Sequence, residues 1–179
     1  PMSQLPDLKE LGVRWVRDGV DWPTMEPTAG NYLPAFPADF AQRLAFYRAN
    51  HIGVDFLLAY NNPKAYPNSA DKPHNEYDAV AYGKYAGQVA KLMKASGVEF
   101  VLEVWNEPHN SLQKPFGGEW QGKLPSAWVD QYVKMVEEVV KNAKAVDPRF
   151  QVMSQDDMWI CSYWFLEKGL PKALDGLSF

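Results

Sequence analysis

The chain has 179 residues, enough for one domain with a substantial core. Its net charge of −4 comes without a basic block, which argues against a nucleic-acid partner, and no apolar run reaches membrane-spanning length. The single Cys161 excludes an internal disulfide framework and a thiolate metal cluster, and His51, His74 and His109 are scattered without metal-ligand spacing.

In chain order, short β-rich runs alternate with longer helical patterns. A leading helix, "LPDLKELG", precedes a strand at 13–17, "VRWVR". A helix near 38–50 is expected to stop at Gly53, followed by the strand "VDFLLAY" at 54–60 and a Pro- and Asn-rich loop at 61–77. Within it, "DKPHNEYD" at 71–78 mixes charge signs and reads as a solvated loop edge. Asp78 caps a helix at 79–96 that stops at Gly97, and the strand "EFVLEVW" spans 99–105. Ser126 is placed to cap a helix at 126–145, with Val129, Tyr132, Val133, Val136, Val139, Val140 and Ala143 on one stripe and Asp147-Pro148 as its stop. The strand "FQVMS" at 150–154, a helix at 161–169 and the stub "GLSF" at 176–179 complete the series.

Strand, helix, strand, repeated without hairpin turns, predicts an α/β fold with a parallel sheet covered by helices. A doubly wound sheet would show a glycine-rich phosphate turn after an early strand, and none is present. In an eight-fold (β/α) barrel the chemistry sits on the loops after the strands. Here those loops hold the polar and aromatic residues: "DGVDW", "NNPKAYPNS", "NEPHN" and "QDDMW". The fold class expected is therefore α/β, an incomplete TIM (β/α)8 barrel running from about helix 1 to the start of strand 6, with residues 1–179 as one partial domain. The start at Pro1 without an initiator Met and the end at Phe179 within a strand pattern read as the borders of an internal fragment.

The stretch "VLEVWNEPHN" (101–110) carries two glutamates with different expected roles. Glu103 lies mid-strand and needs a partner such as Arg17 or Arg14, which predicts a buried ion pair. Glu107 falls just past the strand, at the face where barrel enzymes place reacting groups, and Pro108 is expected to hold it extended. Trp22, Tyr60, Tyr66, Trp120 and Trp159 occupy loop positions from which a ring could stack on a sugar, or plug the barrel top. Asn61 follows a strand on the same face as a substrate contact, whereas His109 reads as a surface loop residue. Asp156 and Asp157 follow a later strand.

"LEVWNEPHN" resembles the acid/base motif W-E-x-W-N-E-P of the clan A glycoside hydrolases, with Leu102 in place of the first Trp. The stretch "LGVRWVRDGVDWPTMEPTAGNYLP…DF…LAFYRANHIGVDFLLAY" is similar to the same clan from strand two to strand three, and "LDGLSF" resembles the approach to strand six. The order is consistent over nearly the whole chain and looks like family 39 enzymes, with family 5-like enzymes next.

The resemblance implies a retaining glycosidase, an O-glycosyl hydrolase acting on a β-linked oligo- or polysaccharide without a metal or other cofactor. It implies Glu107 as general acid and then base, Asn106 on the sugar 2-hydroxyl, and Arg17 beneath the site against the nucleophilic carboxylate. That nucleophile belongs to strand seven, which lies outside this chain, and Asp156 and Asp157 sit on the wrong strand to replace it. Such hydrolysis needs two carboxyls about 5–5.5 Å apart, so the chain alone is expected to be inactive and poorly folded. A secreted or periplasmic location would follow from such a substrate only. Two other readings remain open: a carbohydrate-binding barrel that has lost catalysis, and a barrel of unrelated chemistry that leaves Trp-Asn-Glu-Pro unexplained.

Overall fold

The computed structural model describes residues 2–156 and 158–178, so Pro1, Asp157 and Phe179 lie outside the described residues. Helix α1 (Leu5–Glu10) leads into β1 (Trp15–Asp18), the short helix α2 (Trp22–Met25) and α3 (Ala38–Ala49). Then come β2 (Gly53–Leu58), α4 (Ala79–Ser96), β3 (Phe100–Val104), α5 (Pro108–Phe116), α6 (Ala127–Val146), β4 (Gln151–Gln155), α7 (Trp159–Lys168) and β5 (Gly176–Ser178). The five strands form one parallel sheet in the order β1-β2-β3-β4-β5. Consecutive strands therefore lie side by side, as short helical crossovers require.

Side chains alternate across this sheet. Val54, Phe56, Leu58, Leu102, Val104 and Val152 point to the helix-covered face and are buried. There they meet Tyr82, Tyr85, Val89 and Met93 of α4, and the α6 stripe from Val129 to Ala143, all buried as its spacing predicts. The opposite face carries Arg17, Asp55, Glu103, Gln155 and Ser178, with Leu57, Val101 and Met153 between them half-buried.

Helices α4 and α6 approach closely at Gly83, where a Cβ would lie 2.7 Å from the Glu138 carbonyl oxygen. The Asp78 carboxylate caps α4 by accepting the Ala81 N–H at 2.8 Å, and Gly97 ends it in the left-handed region at φ 70°.

Several expectations are corrected. Ser126 precedes α6 but makes no capping bond, and its buried hydroxyl has no partner among the described residues. Helix α3 ends at Ala49 with Asn50 as its C-cap, and Gly53 instead opens β2, its backbone pressed against the Trp15 ring. The segment after β3, expected as loop, is helix α5, with Pro108 at its first turn where the missing N–H costs nothing. Residues 74–77 are not a solvated edge. Asn75–Tyr77 form a 3-10 turn, and the His74 and Tyr77 rings pack 4.6 and 5.5 Å from Phe116.

Candidate active site

The site lies at the C-terminal ends of the strands. Glu103 is 1% exposed on the inner face of β3. The Arg17 Nε–H donates to its carboxylate, and the Ser178 hydroxyl donates to the other oxygen at 2.6 Å. One buried carboxylate thereby ties β1, β3 and β5 together, and the partner expected for Glu103 is Arg17. The same guanidinium reaches out along the sheet and donates from Nη2 to the Asn106 amide oxygen at 2.8 Å. With that oxygen engaged, Asn106 has its two N–H donors to offer.

Glu107 is not extended. Its φ of 47° and ψ of 61° are left-handed, and Trp105 two residues earlier has φ 66°. Left-handed geometry costs a non-glycine residue roughly 1–2 kcal/mol. Pro108 disfavours the right-handed region for Glu107, but the chain must also turn from β3 into α5 within three residues. Two left-handed residues make that reversal.

Neighbouring contacts hold the reversal in place. The Trp105 indole N–H donates to the Ser111 hydroxyl at 2.5 Å, and the Trp105 main-chain N–H to the Leu58 carbonyl at 3.1 Å. The Glu107 N–H donates to Gln155 Oε1 at 2.7 Å, and the Asn110 side-chain amide donates to Glu107 Oε2 at 2.8 Å.

Beside this turn, a cleft of about 290 Å³ is lined by Arg17, Asp18, Val20, Asp21, Leu57 and Tyr60, among others. Tyr60 stands at its rim, 43% exposed, edge-on to Trp105 with ring centroids 5.6 Å apart. Trp159, at the start of α7, is 73% exposed. Asn61 is half-buried, its amide donating to Glu76 at 3.0 Å, so it braces the loop after β2. Trp120 is half-exposed and meets the His109 ring edge-on at 5.1 Å.

Trp22 does not reach the cleft. It is fully buried, and its indole N–H donates to Glu26 at 2.6 Å. Tyr66 is drawn in the same way: its hydroxyl donates to Glu26 Oε1 at 2.6 Å. Burial first, and the Glu26 carboxylate next, push the Tyr66 phenol well above its usual range. The Gly30 N–H adds a third donor to Glu26 at 2.6 Å. Glu26 is thus the buried hub of the turn "EPTAGNY", and it claims two of the rings that a sugar platform would need.

His109 is likewise not a surface residue. Helix α5 turns it inward, where it is 2% exposed with Nδ1 at 2.8 Å from an Asp156 carboxylate oxygen. Cys161 joins them, so His109 and two residues from the segment after β4 bring potential ligand atoms within 4.8 Å of one another. The imidazole and carboxylate of the first two already meet at hydrogen-bond distance. Asp157 lies outside the described residues.

Gln155, Asn110, Ser178 and the His109–Asp156 pair are the contacts that the sequence did not mark individually. Gln155 and Asp156 do fall in the polar run "QDDMW" after a strand, the one signal that pointed to their position.

No protein-family model and no curated protein matches the chain. Solved structures do. A family 39 glycoside hydrolase from the gut symbiont Bacteroides cellulosilyticus WH2 is 21% identical with a TM-score of 0.62, the match covering 84% of this chain and 28% of that one. A family 1 β-glucosidase from Thermotoga maritima is 14% identical with a TM-score of 0.65, covering 87% and 36%. An exo-β-1,4-mannosidase from Opitutaceae bacterium strain TAV5 is 16% identical with a TM-score of 0.63, covering 85% and 27%. The chain spans less than two-fifths of the length of each of these three structures. Over the matched residues its five-stranded parallel α/β architecture is similar in fold to these glycosidases, which are TIM barrels.

Proposed function

We propose that this chain is part of the catalytic (β/α)8 barrel of a retaining glycoside hydrolase acting on a β-linked oligo- or polysaccharide, with Glu107 as its general acid/base. What supports the reading is the Trp-Asn-Glu-Pro turn at the end of β3, where Glu107 follows an Asn106 held by Arg17, itself a lining residue of the cleft.

On this reading β1 to β5 correspond to barrel strands two to six. Glu107 gives its proton to the glycosidic oxygen as the bond to the anomeric carbon breaks. The nucleophilic carboxylate, from strand seven and outside this chain, forms the glycosyl-enzyme ester. Glu107, now ionised, takes a proton from the water that cleaves that ester. Asn106 donates to the sugar 2-hydroxyl, Arg17 sets the Asn106 amide, and Tyr60 and Trp159 offer ring faces to sugars.

The test is Glu107→Gln in the protein that carries this chain. Turnover of glycosides with poor leaving groups should fall by about 10²–10⁴-fold, the usual contribution of a general acid. The glycosylation step with activated aryl glycosides should persist. Equal retention, or equal loss, on both substrate types overturns the assignment.

A further inference from the structure

Two consecutive residues at the end of β4 hold the turn that carries Glu107. Gln155, the last residue of β4, is buried, and its Oε1 accepts the Glu107 N–H at 2.7 Å. Asp156 is 1% exposed and binds His109, two residues past Glu107, at 2.8 Å. These bonds span 48 and 47 residues of sequence.

Both supporting residues are themselves fixed. The Tyr132 hydroxyl of α6 accepts the Gln155 N–H at 2.9 Å and lies 3.0 Å from the Val104 and Gln155 carbonyl oxygens. Asp156 accepts the Met158 N–H at 2.9 Å, and its own N–H donates to the Ser178 carbonyl at 3.2 Å. A bulky residue stays left-handed only where its surroundings over-determine it, and here the end of β4 does so.

We propose that Gln155 and the Asp156–His109 pair are positioning residues that fix the direction of the Glu107 carboxyl, with the Gln155 acceptor oxygen as the principal element. The proposal rests on the acid/base reading of Glu107. A general acid must lie within hydrogen-bond reach of the oxygen it protonates, and a displacement of about 1 Å can cost on the order of 10²-fold. Gln155 touches the main chain of Glu107, so its influence is on direction and not on chemistry.

The experiment uses the protein that carries this chain, with one poor-leaving-group glycoside, one activated aryl glycoside, and thermal unfolding as a control. Gln155→Leu keeps the side-chain bulk and deletes the acceptor. It should lower kcat/KM, which reports the glycosylation step, on the poor leaving group by about 10–10²-fold and leave kcat/KM on the activated substrate within about threefold. Gln155→Glu, which keeps an acceptor oxygen in place, should restore most of that loss. Should Gln155→Leu not fold, Gln155→Asn, which withdraws the acceptor by one methylene, carries the same comparison. In the Glu107→Gln background, Gln155→Leu should add no further selective loss. A parallel fall in kcat/KM on both substrates, unchanged kinetics, or a full additive loss in that background each overturns the positioning role. If Glu107→Gln alone lacks leaving-group selectivity, the acid/base reading has failed instead, so the two failures are distinguishable.

Discussion

Asp55 carries the least compensated charge on the inner face of the sheet. Its Oδ1 is buried without a hydrogen-bond partner among the described residues, although Glu103 and Arg17 lie close enough to act on it. Burial first, and the Glu103 charge next, raise its pKa from 3.8 to about 6, against a smaller opposing effect of Arg17. The folded value lies above the unfolded one, so the folded chain binds more protons between them. Stability therefore falls as pH rises from about 4 to about 6 and does not recover above that window. Asp55→Asn should remove this slope and raise stability at pH 7 by on the order of 1 kcal/mol, discounted because the group is partly solvated. Unfolding temperature against pH, wild type beside variant, checks it; superimposable profiles would refute it. Arg17 and Glu103 show the complementary case, in which an inner-face carboxylate is matched by a cation and a hydroxyl.

At the scale of elements, α4 and α6 set how the outer layer seats on the sheet. Gly83 lets the helices touch, and a methyl group there would meet Glu138 main-chain atoms that have no rotamer to yield. Gly83→Ala should destabilise by up to about 2 kcal/mol, because overpacking of about 1–3 kcal/mol outweighs a helix-propensity gain of about 1 kcal/mol. Denaturant midpoints measure it, and a stabilised variant would mean that the helices slide apart freely. Helix α6 was legible from its apolar stripe, whose period survives whatever it packs against, and α4 from its Asp78 cap and Gly97 stop. Helix α5 was not. It begins at a proline, and its sequence "PHNSLQKPF" mixes polar and apolar residues without a wide stripe, since only Pro108, His109 and Leu112 are buried.

The molecule as a whole has one sealed face and one open one. Helices cover Val54, Phe56, Leu102 and Val104, while the inner face stays half-exposed and Trp15 is 43% exposed on it. Strands β1 and β5 each pair on one side only among the described residues, which leaves backbone donors and acceptors for another strand. Residues 1–179 expressed alone are expected to self-associate and to show no glycoside turnover. Gel filtration with light scattering and a glycosidase assay test this. A monomer that unfolds cooperatively and turns over substrate would contradict both the open-sheet argument and the need for a second carboxylate.

Composition and period by themselves determined the parallel α/β layout, the apolar stripe of α6 and the placing of Glu107 at a strand end. These are local properties: alternation, 3.6-residue spacing, and proline or glycine punctuation act over a few residues. Tertiary structure alone decided which polar groups meet. It chose Arg17 for Glu103, drew Trp22 and Tyr66 into Glu26, and folded His109 against Asp156. Each of those choices depends on a partner 4 to 86 residues away and on which side of a helix or strand faces it. The left-handed turn at Glu107 is the clearest instance. Proline restricts its backbone locally, but the bond that settles its direction comes from Gln155 at the end of the neighbouring strand.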